Sequence, residues 1–340
     1  MKRFKPYFLL LNFSFFIFLT GCRKDLCYNH DEHSFSVKVD IVADWEQEWE
    51  RMHDMDWEQN WLEDFSCGYD DLRPEVADGI RALVYADEGG DYSEYNLEST
   101  GGRLPMQEGT NTLLFYNNDT EYIVFSDLDA SASASATTRT RTRSTFTGTG
   151  AHAEERTINE PDILYGTYID EYVAERTVEP VELLLTMRPL VYTYVVRYEF
   201  SHGLEYVALA RGALAGMAES VYLQDGHTDE AAATVLYDCT LESYGAEAQV
   251  QTFGVPNYPG EGYTRADRPY TLNLEVRLTN GKILDYEFDV TAQVEAQPRG
   301  GVIIVQDIEV SDEDGTAGSG GFDVDVEGWG EYIDIPLPLD

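Results

Sequence analysis

The chain has 340 residues and a formal net charge of −40, from 63 Asp and Glu against 23 Lys and Arg. A surface this acidic repels phosphate backbones, whose capture depends on Lys and Arg neutralising them, so nucleic acid is excluded as a partner. With 43% hydrophobic and 13% aromatic residues, Tyr alone occurring 23 times, the chain is also too apolar for an acidic disordered protein.

The N-terminus carries Lys2, Arg3 and Lys5, then an almost unbroken apolar run from Tyr7 to Leu19. A basic head, a short greasy middle and small residues at a cut site are the parts of an export signal. The run is short of the ~20 residues that span a bilayer comfortably. It ends on Leu19-Thr20-Gly21-Cys22, which resembles the lipobox of bacterial lipoproteins rather than the Ala-x-Ala form. The resemblance implies that residues 1–21 are a leader cut after Gly21 and that the Cys22 thiol is acylated. An ordinary leader followed by a chance cysteine is the alternative. Several acyl chains on one residue anchor stably where a single chain binds only marginally. Loss of the leader, with its three cations, takes the net charge from −40 to −43.

Four cysteines occur, Cys22, Cys27, Cys67 and Cys239. With Cys22 lipidated, the other three allow one disulfide at most, and no C-x-x-C pair exists for metal or redox chemistry.

Residues 22–33 form a tether. Over Ser34 to Val42, Phe35, Val37, Val39 and Ile41 alternate with Ser36, Lys38 and Asp40, which predicts a half-buried strand. Residues 44–64 hold Trp45, Trp49, Trp57 and Trp61 as two pairs spaced four apart, each preceded by an aspartate, Asp44 or Asp56, placed to cap a helix. The pattern predicts two short helices inserted between strands. Turned outward, the four indoles would form a carbohydrate platform; turned inward, they are the core of the insertion. Strands are expected over Ile80 to Ala86, Thr112 to Tyr116 and Glu121 to Phe125, with a Gly/Asp/Glu-rich loop after the first and an Asn117-Asn118-Asp119-Thr120 turn before the last. These make a first domain over 34–130.

Residues 131–157 run through Ser-Ala repeats, then Arg139, Arg141 and Arg143 between threonines, then Thr and Gly. With almost no apolar bulk, the stretch is expected to be a linker or long exposed loop carrying solvated arginines.

The β pattern resumes over 158–340. Val181 to Met187 reads as a strand, and Tyr192, Tyr194, Val196, Tyr198 and Phe200 share one face of the next. Tyr206 to Met217 is read as a strand with Gly212 and Gly216 as bulges, since glycine costs a helix interior stability. Thr234 to Leu241 and Ala248 to Phe253 follow. Leu272, Leu274, Val276 and Leu278 alternate, Asn280-Gly281 turns, and Leu284, Tyr286, Phe288 and Val290 alternate back, a strong hairpin signal. Val302 to Val310, Phe322 to Val326 and Tyr332 to Ile335 complete an all-β set whose regular short strands predict β-sandwich packing.

Catalytic and metal motifs are missing. There is no Gly-x-x-x-x-Gly-Lys, no His-Glu-x-x-His and no Gly-x-Ser-x-Gly. His30 and His33 flank two acids within the tether. Asp312-Glu313-Asp314-Gly315 fails as a calcium loop, because Val310 and Gly321 stand where carboxylates are required, and reads as a turn. No catalytic residue, metal ligand or cofactor is assigned, and the chain reads as a non-enzyme.

The C-terminal stretch Gly320-Gly321-Phe322-Asp323-Val324-Asp325-Val326-Glu327-Gly328-Trp329, closing on Ile333-Asp334-Ile335-Pro336, resembles the closing strands of Bacteroidetes fimbrillin-type lipoproteins. Gly203 to Leu223, with Ala213-Leu214-Ala215-Gly216-Met217-Ala218, is similar to their central segment. Arg188-Pro189-Leu190-Val191 and Pro161-Asp162-Ile163-Leu164-Tyr165-Gly166 also fit, as do Cys27-Tyr28-Asn29-His30 and the Trp-rich insertion. The resemblance, to a branch related to fimbrial anchor and tip subunits, implies two transthyretin-like β-sandwich domains. It also implies a lipid-anchored outer-membrane protein at the cell surface, with fimbrial subunits as partners and an adhesive role toward host or glycan ligands. Assembly in that family adds a strand of one subunit to the next. Ile333, Ile335, Leu337 and Leu339 alternate as such a strand would, although Pro336 and Pro338 each remove a hydrogen-bond donor. The alternative is a glycan-binding lipoprotein for nutrient uptake, contacting sugar through Trp45, Trp49, Trp57 and Trp61.

Overall fold

The computed structural model describes residues 36–51, 54–86, 92–177, 179–259, 269–316 and, for the backbone, 333–335. The expected leader, Cys22, the tether, the Phe322–Val326 strand and Leu337 and Leu339 lie outside them. Among the described residues the first eleven strands are β1 (Ser36–Trp45), β2 (Gly79–Ala86), β3 (Tyr92–Glu98), β4 (Gly101–Gln107), β5 (Gly109–Asn117), β6 (Ile123–Ser126), β7 (Ser135–Thr138), β8 (Thr140–Thr142), β9 (Arg156–Ile158), β10 (Tyr165–Ala174) and β11 (Val181–Pro189). Nine more follow: β12 (Tyr192–His202), β13 (Val207–Ala218), β14 (Ser220–Tyr222), β15 (Ala232–Glu242), β16 (Gly245–Thr252), β17 (Thr271–Leu278), β18 (Ile283–Asp289), β19 (Gly301–Glu309) and β20 (Ile333–Ile335). The helices are short: α1 (Trp57–Asn60), α2 (Thr291–Ala296) and α3 (Asp312–Thr316).

Seven strands close into a barrel in the order β1-β11-β10-β5-β2-β3-β4, with β4 returning antiparallel to β1. Alternation decides the faces. Val37, Val39 and Ile41 of β1 point inward to Ala82, Val84, Leu104, Leu113, Phe115 and Met187, while Val42 faces out. The closure is narrow in two places. β3 and β4 share only Glu98↔Gly101, and β10 and β11 share only Tyr165↔Pro189 and Gly166↔Arg188. Gly101 is required at the first seam, at φ +109 with a Cβ that would meet Ile41 O at 2.1 Å.

The second sheet runs β18-β17-β13-β15-β16-β12-β19 and has its own core, including Tyr194, Val196, Tyr198, Leu214, Leu272, Leu274 and Ile303. A third, three-stranded sheet, β14-β7-β6, covers the outer face of the barrel, where Leu83, Tyr85, Leu114 and Tyr116 meet Ile123, Ala134, Ala136 and Val221. β2 and β5 are therefore buried on both faces, which is why they read as near-continuous apolar runs.

The protein is predominantly β, as the alternation predicts. Where the resemblance implied a pair of sandwiches, the first unit closes as a barrel. β10 and β11 follow the expected linker yet complete the first barrel. The linker itself contains β7 and β8 and enters β9, with Ala134, Ala136 and Thr138 no more than 1% exposed. Small side chains bring little apolar area each, but they let strands approach closely. The Thr-Arg-Thr run is a strand alternation in polar residues, and Thr suits the pleated surface.

The first expected helix is absent. β1 continues through Asp44 and Trp45, and the Trp45 ring packs edge-on against Tyr165 at 4.8 Å under the barrel. The second forms as a single turn, α1, where Asp56 Oδ1 accepts from Gln59 N at 3.1 Å. The Gly/Asp/Glu-rich stretch expected as a loop contains β3 and β4, whose exposed, polar outer faces hide the pattern. Within β13 the register shifts between Leu214 and Met217, with Gly216 at φ +89, so Gly216 is a bulge. Gly212 is instead a contact, since a Cβ there would lie 2.3 Å from the Tyr237 ring. The β17–β18 hairpin closes with Leu278 N donating to Lys282 O at 2.8 Å and Gly281 at φ +85, giving a three-residue loop around Asn280-Gly281. Residues 312–316, expected as a turn, form α3, which caps that loop through Asn280 Nδ2 donating to Asp314 O at 2.7 Å.

Candidate functional site

Cys22 and Gly21 lie outside the described residues, and so do Leu337 and Leu339. The four tryptophans are placed in the interior. Trp49 and Trp57 are buried at 2% and 8% exposure, and Trp45 and Trp61 are half-buried. Three indole N–H groups have local acceptors: Trp45 on Ser99 O at 2.8 Å, Trp57 on Gln297 Oε1 at 2.7 Å and Trp61 on Cys67 O at 2.9 Å. They form no flat exposed face.

Three of them, Trp49, Trp57 and Trp61, strap the two main units together. The segment between β1 and β2 leaves the barrel and lies over the outer face of β12 and β19, where Trp49, Trp57, Phe65 and Leu72 bury Val195 and Val302. Trp61 contributes an edge-on contact to Trp49 at 5.7 Å and a tilted one to Phe65 at 4.5 Å. Aromatic pairs of this kind contribute roughly 0.5–1.5 kcal/mol each beyond their area. The backbone joins in: Thr193 N donates to Trp49 O at 2.8 Å and Arg51 N to Arg299 O at 2.6 Å. Inside the strap Tyr69 Oη donates to Glu50 Oε1 at 2.8 Å. Burial, with Asp56, Glu48 and Glu58 nearby, raises the Glu50 carboxyl to about 7 despite that bond.

A second strap comes from residues 139–158, the only basic cluster of the expected mature chain. Arg143 is 6% exposed, stacks over Phe146 at 5.2 Å and approaches Glu275 at 3.9 Å. Glu275, 1% exposed, accepts from Arg211 Nε at 2.9 Å. Arg143 is therefore not the solvated loop charge the composition suggested, and Arg139 and Arg141 are half-buried. Further along, His152 Nδ1 lies 2.7 Å from Glu155 Oε1, and Glu155 Oε2 accepts from Gly216 N at 3.0 Å and Thr234 Oγ1 at 2.8 Å. The strap is thus pinned to the bulge of β13 and to β15. Glu160, at its end, is raised to about 7 by burial, although Gln251 N donates to it at 3.2 Å.

The C-terminal strand uses this strap as its platform. β20 pairs antiparallel with β8 through Ile333↔Thr142, Asp334↔Arg141 and Ile335↔Thr140, and β8 in turn meets β9, which runs parallel to β15. The expected edge residues Ile333 and Ile335 are thus brought onto a polar edge strand of the same chain. That edge was hidden in the sequence because its threonines and arginines carry no hydrophobic alternation. Among the described residues no group of three or more His, Cys, Asp or Glu is placed to hold a metal ion. Such an arrangement can pair strands and transmit force between units.

A family described as Domain of unknown function (DUF5119) matches residues 69–238, half of the chain. The chain belongs to this family. The DUF5119 match starts in the first strap and ends within β15, so it takes in the barrel strands other than β1, the three-stranded sheet and the second strap. The chain is 24% identical to a candidate fimbrium anchoring subunit of Bacteroides ovatus, Fim4B, over 98% of each protein. Its fold matches that of a candidate adhesin from Bacteroides ovatus ATCC 8483 at a TM-score of 0.56 and 20% identity, covering 83% of this chain and 94% of that one. The fimbrial anchor protein Mfa2 from Porphyromonas gingivalis overlaps at a TM-score of 0.45 and 10% identity, over 80% and 90% of the two chains. The likeness to the Bacteroides ovatus protein over the whole chain agrees with the fimbrial resemblance carried by the sequence motifs.

Proposed function

We propose that this DUF5119 protein is a structural, non-catalytic accessory subunit of a surface fimbrium, an anchor or a tip, with a role in adhesion. It is held at the outer membrane through lipid on Cys22 and joins a neighbouring subunit by strand addition. The observation that carries the reading is the placement of the C-terminal strand. Ile333–Ile335 pairs with β8, a three-residue polar edge, and edge strands are the places where main-chain hydrogen bonds can be exchanged between chains. The end-to-end likeness to a candidate fimbrium anchoring subunit supports it. The Leu19-Thr20-Gly21-Cys22 motif supports the anchor. The interior tryptophans give no support to glycan capture through an aromatic platform.

The test is to shear filaments from cells and ask whether the protein co-purifies, with Cys22→Ala cells in parallel. Co-purification with filaments shed by the mutant makes it an anchor; co-purification without shedding makes it a tip subunit. Absence from the filaments overturns the fimbrial reading. Deletion of 332–340 is expected to abolish contact with the neighbouring subunit, and unchanged contact would refute strand addition at this end.

A further inference from the structure

At the junction of barrel, first strap and second sheet lies an open cleft of about 440 Å³, in the size range of small-molecule sites. In a chain of net charge −40, three arginines line it, Arg51, Arg188 and Arg299, against one aspartate, Asp225. They come from three different segments, and cross-pairing of Arg51 with Arg299 brings two of them together.

The three are not equivalent. Arg51 is committed, since Glu46 and Glu48 both hold its guanidinium. Arg188 is different: its side chain is 64% exposed and its nearest carboxylate contact, Glu46, is 3.5 Å away. Arg299 is 8% exposed and fixed in plane, between the Tyr192 and Tyr258 rings at 5.3 Å each, with Nη2 donating to Gly226 O at 2.5 Å. Its Nε–H is buried and has no acceptor among the described residues. A guanidinium fixed in the cleft wall, with a second, exposed one lining the same cleft and held by a single long contact to Glu46, is suited to a carboxylate, which takes paired N–H donors. The remaining polar wall fits hydroxyl groups: Thr167, Gln224 and the Asp225 carboxylate all line the cleft. Asp225 also disfavours a ligand that is anionic throughout.

We infer that this cleft binds an acidic saccharide, a sugar ring bearing one carboxylate, with Arg188 and Arg299 on the carboxylate and Asp225 on ring hydroxyls. The inference is independent of the fimbrial reading, since the site includes neither Cys22 nor β20.

The test is calorimetric titration of the full lipoprotein in detergent with trigalacturonate and with 3′-sialyllactose. Saturable binding of at least one is expected, weakened roughly tenfold or more by Arg188→Ala, as for loss of a charge-assisted hydrogen bond. Arg188 is exposed enough that this variant keeps the fold. Arg299→Lys, which keeps the charge but loses the planar fork, is expected to weaken binding as well, whereas Arg103→Ala on β4 leaves it unchanged. Failure of both saccharides to bind overturns the inference. So does equal binding of methyl-esterified trigalacturonate, or wild-type affinity in Arg188→Ala. Equal affinity for tricarballylate, which has carboxylates and no ring, overturns the saccharide assignment.

Discussion

Arg197 Nη2 donates to Asp64 Oδ2 at 2.6 Å, joining β12 to the first strap across 133 residues of sequence. The two ends of this bond differ in kind. Asp64 is exposed, and its carboxyl is pulled below the usual carboxylate range chiefly by the bond to Arg197. Arg197 is 3% exposed and stacks over Tyr244 at 3.7 Å and Phe65 at 5.4 Å. The strap is therefore held by its aromatic underside, and the ion pair is an accessory to it. Asp64→Asn is expected to cost about 1 kcal/mol, because the amide oxygen still accepts from Arg197 and Glu199, 2.8 Å from Arg197 Nε, keeps its charge paired. Trp49→Ala, which opens a cavity under the strap, is expected to cost roughly 3–5 kcal/mol. Urea unfolding of the two variants checks the order, and a larger loss in Asp64→Asn would show that the strap is an electrostatic device.

Stability is expected to fall as pH rises from about 4.5 to about 7. Burial raises both Glu50 and Glu160 to about 7 from an ordinary value of 4.5. Between those limits the folded chain binds more protons than the unfolded chain at these positions, so raising the pH favours unfolding. The contribution is fully present below the unfolded value and lost once pH passes the folded one. Glu50→Gln and Glu160→Gln should each be more stable than wild type at pH 8, by roughly 1–2 kcal/mol after allowing for solvent screening. Each should also flatten the slope. Urea midpoints at pH 5 and pH 8 decide it, and a double variant with the wild-type slope would be incompatible with either group titrating in this window.

Much of the architecture was legible in residue alternation. Val37, Val39 and Ile41 announce β1, and the two alternating runs around Asn280-Gly281 announce the β17–β18 hairpin, because in each case one face is apolar and the other polar. What was not legible has two physical origins. Strands such as β3, β7 and β8 contribute backbone pairing and little apolar area, and β4 turns only Leu104 and Met106 inward beside Gly, Arg and Pro, so periodicity has little to register. The straps and the arginine cleft depend on contacts across long sequence separations; Arg51, Arg188 and Arg299 share no local pattern. Trp45 and Trp49 mislead for a related reason. Their spacing suits a helix, but pairing of Trp45 with Met187 continues β1 and tertiary context overrides local preference.

The second strap should be sensitive at Glu155. Its carboxylate bridges three elements, accepting from Gly216 N and Thr234 Oγ1 on Oε2 and facing His152 Nδ1 on Oε1. Replacing it by glutamine keeps the volume but turns a charged acceptor into a neutral amide, whose NH₂ either meets the Gly216 and Thr234 donors or requires His152 to carry its proton on Nε2, toward Thr271 Oγ1. The expected cost is roughly 1–3 kcal/mol for Glu155→Gln and more for Glu155→Ala. Hydrogen exchange at the Gly216 amide reports the same event locally. Unchanged protection of that amide in Glu155→Ala would mean that the strap is held without its central acceptor.

The buried pair Tyr198 and Tyr237 gives an asymmetric prediction, because each hydroxyl has a single hydrogen to donate. Their oxygens lie 2.8 Å apart, and Tyr198 Oη is also 3.0 Å from Asn273 O, which can only accept. Tyr198 must spend its hydrogen on Asn273, so Tyr237 donates to Tyr198. Tyr237→Phe then removes one donor and leaves the Tyr198 bond to Asn273 intact, at an expected cost of about 1 kcal/mol. Tyr198→Phe takes away the acceptor of Tyr237 in a fully buried site and should cost roughly 1–3 kcal/mol. The Tyr237 ring cannot relax toward the sheet to find water, since it lies directly over Gly212, where a Cβ would stand 2.3 Å from it. Equilibrium unfolding of the two phenylalanine variants measures the difference. Equal losses would mean that the hydroxyl chain runs the other way, with Tyr198 donating to Tyr237 and the Asn273 contact carrying no hydrogen bond.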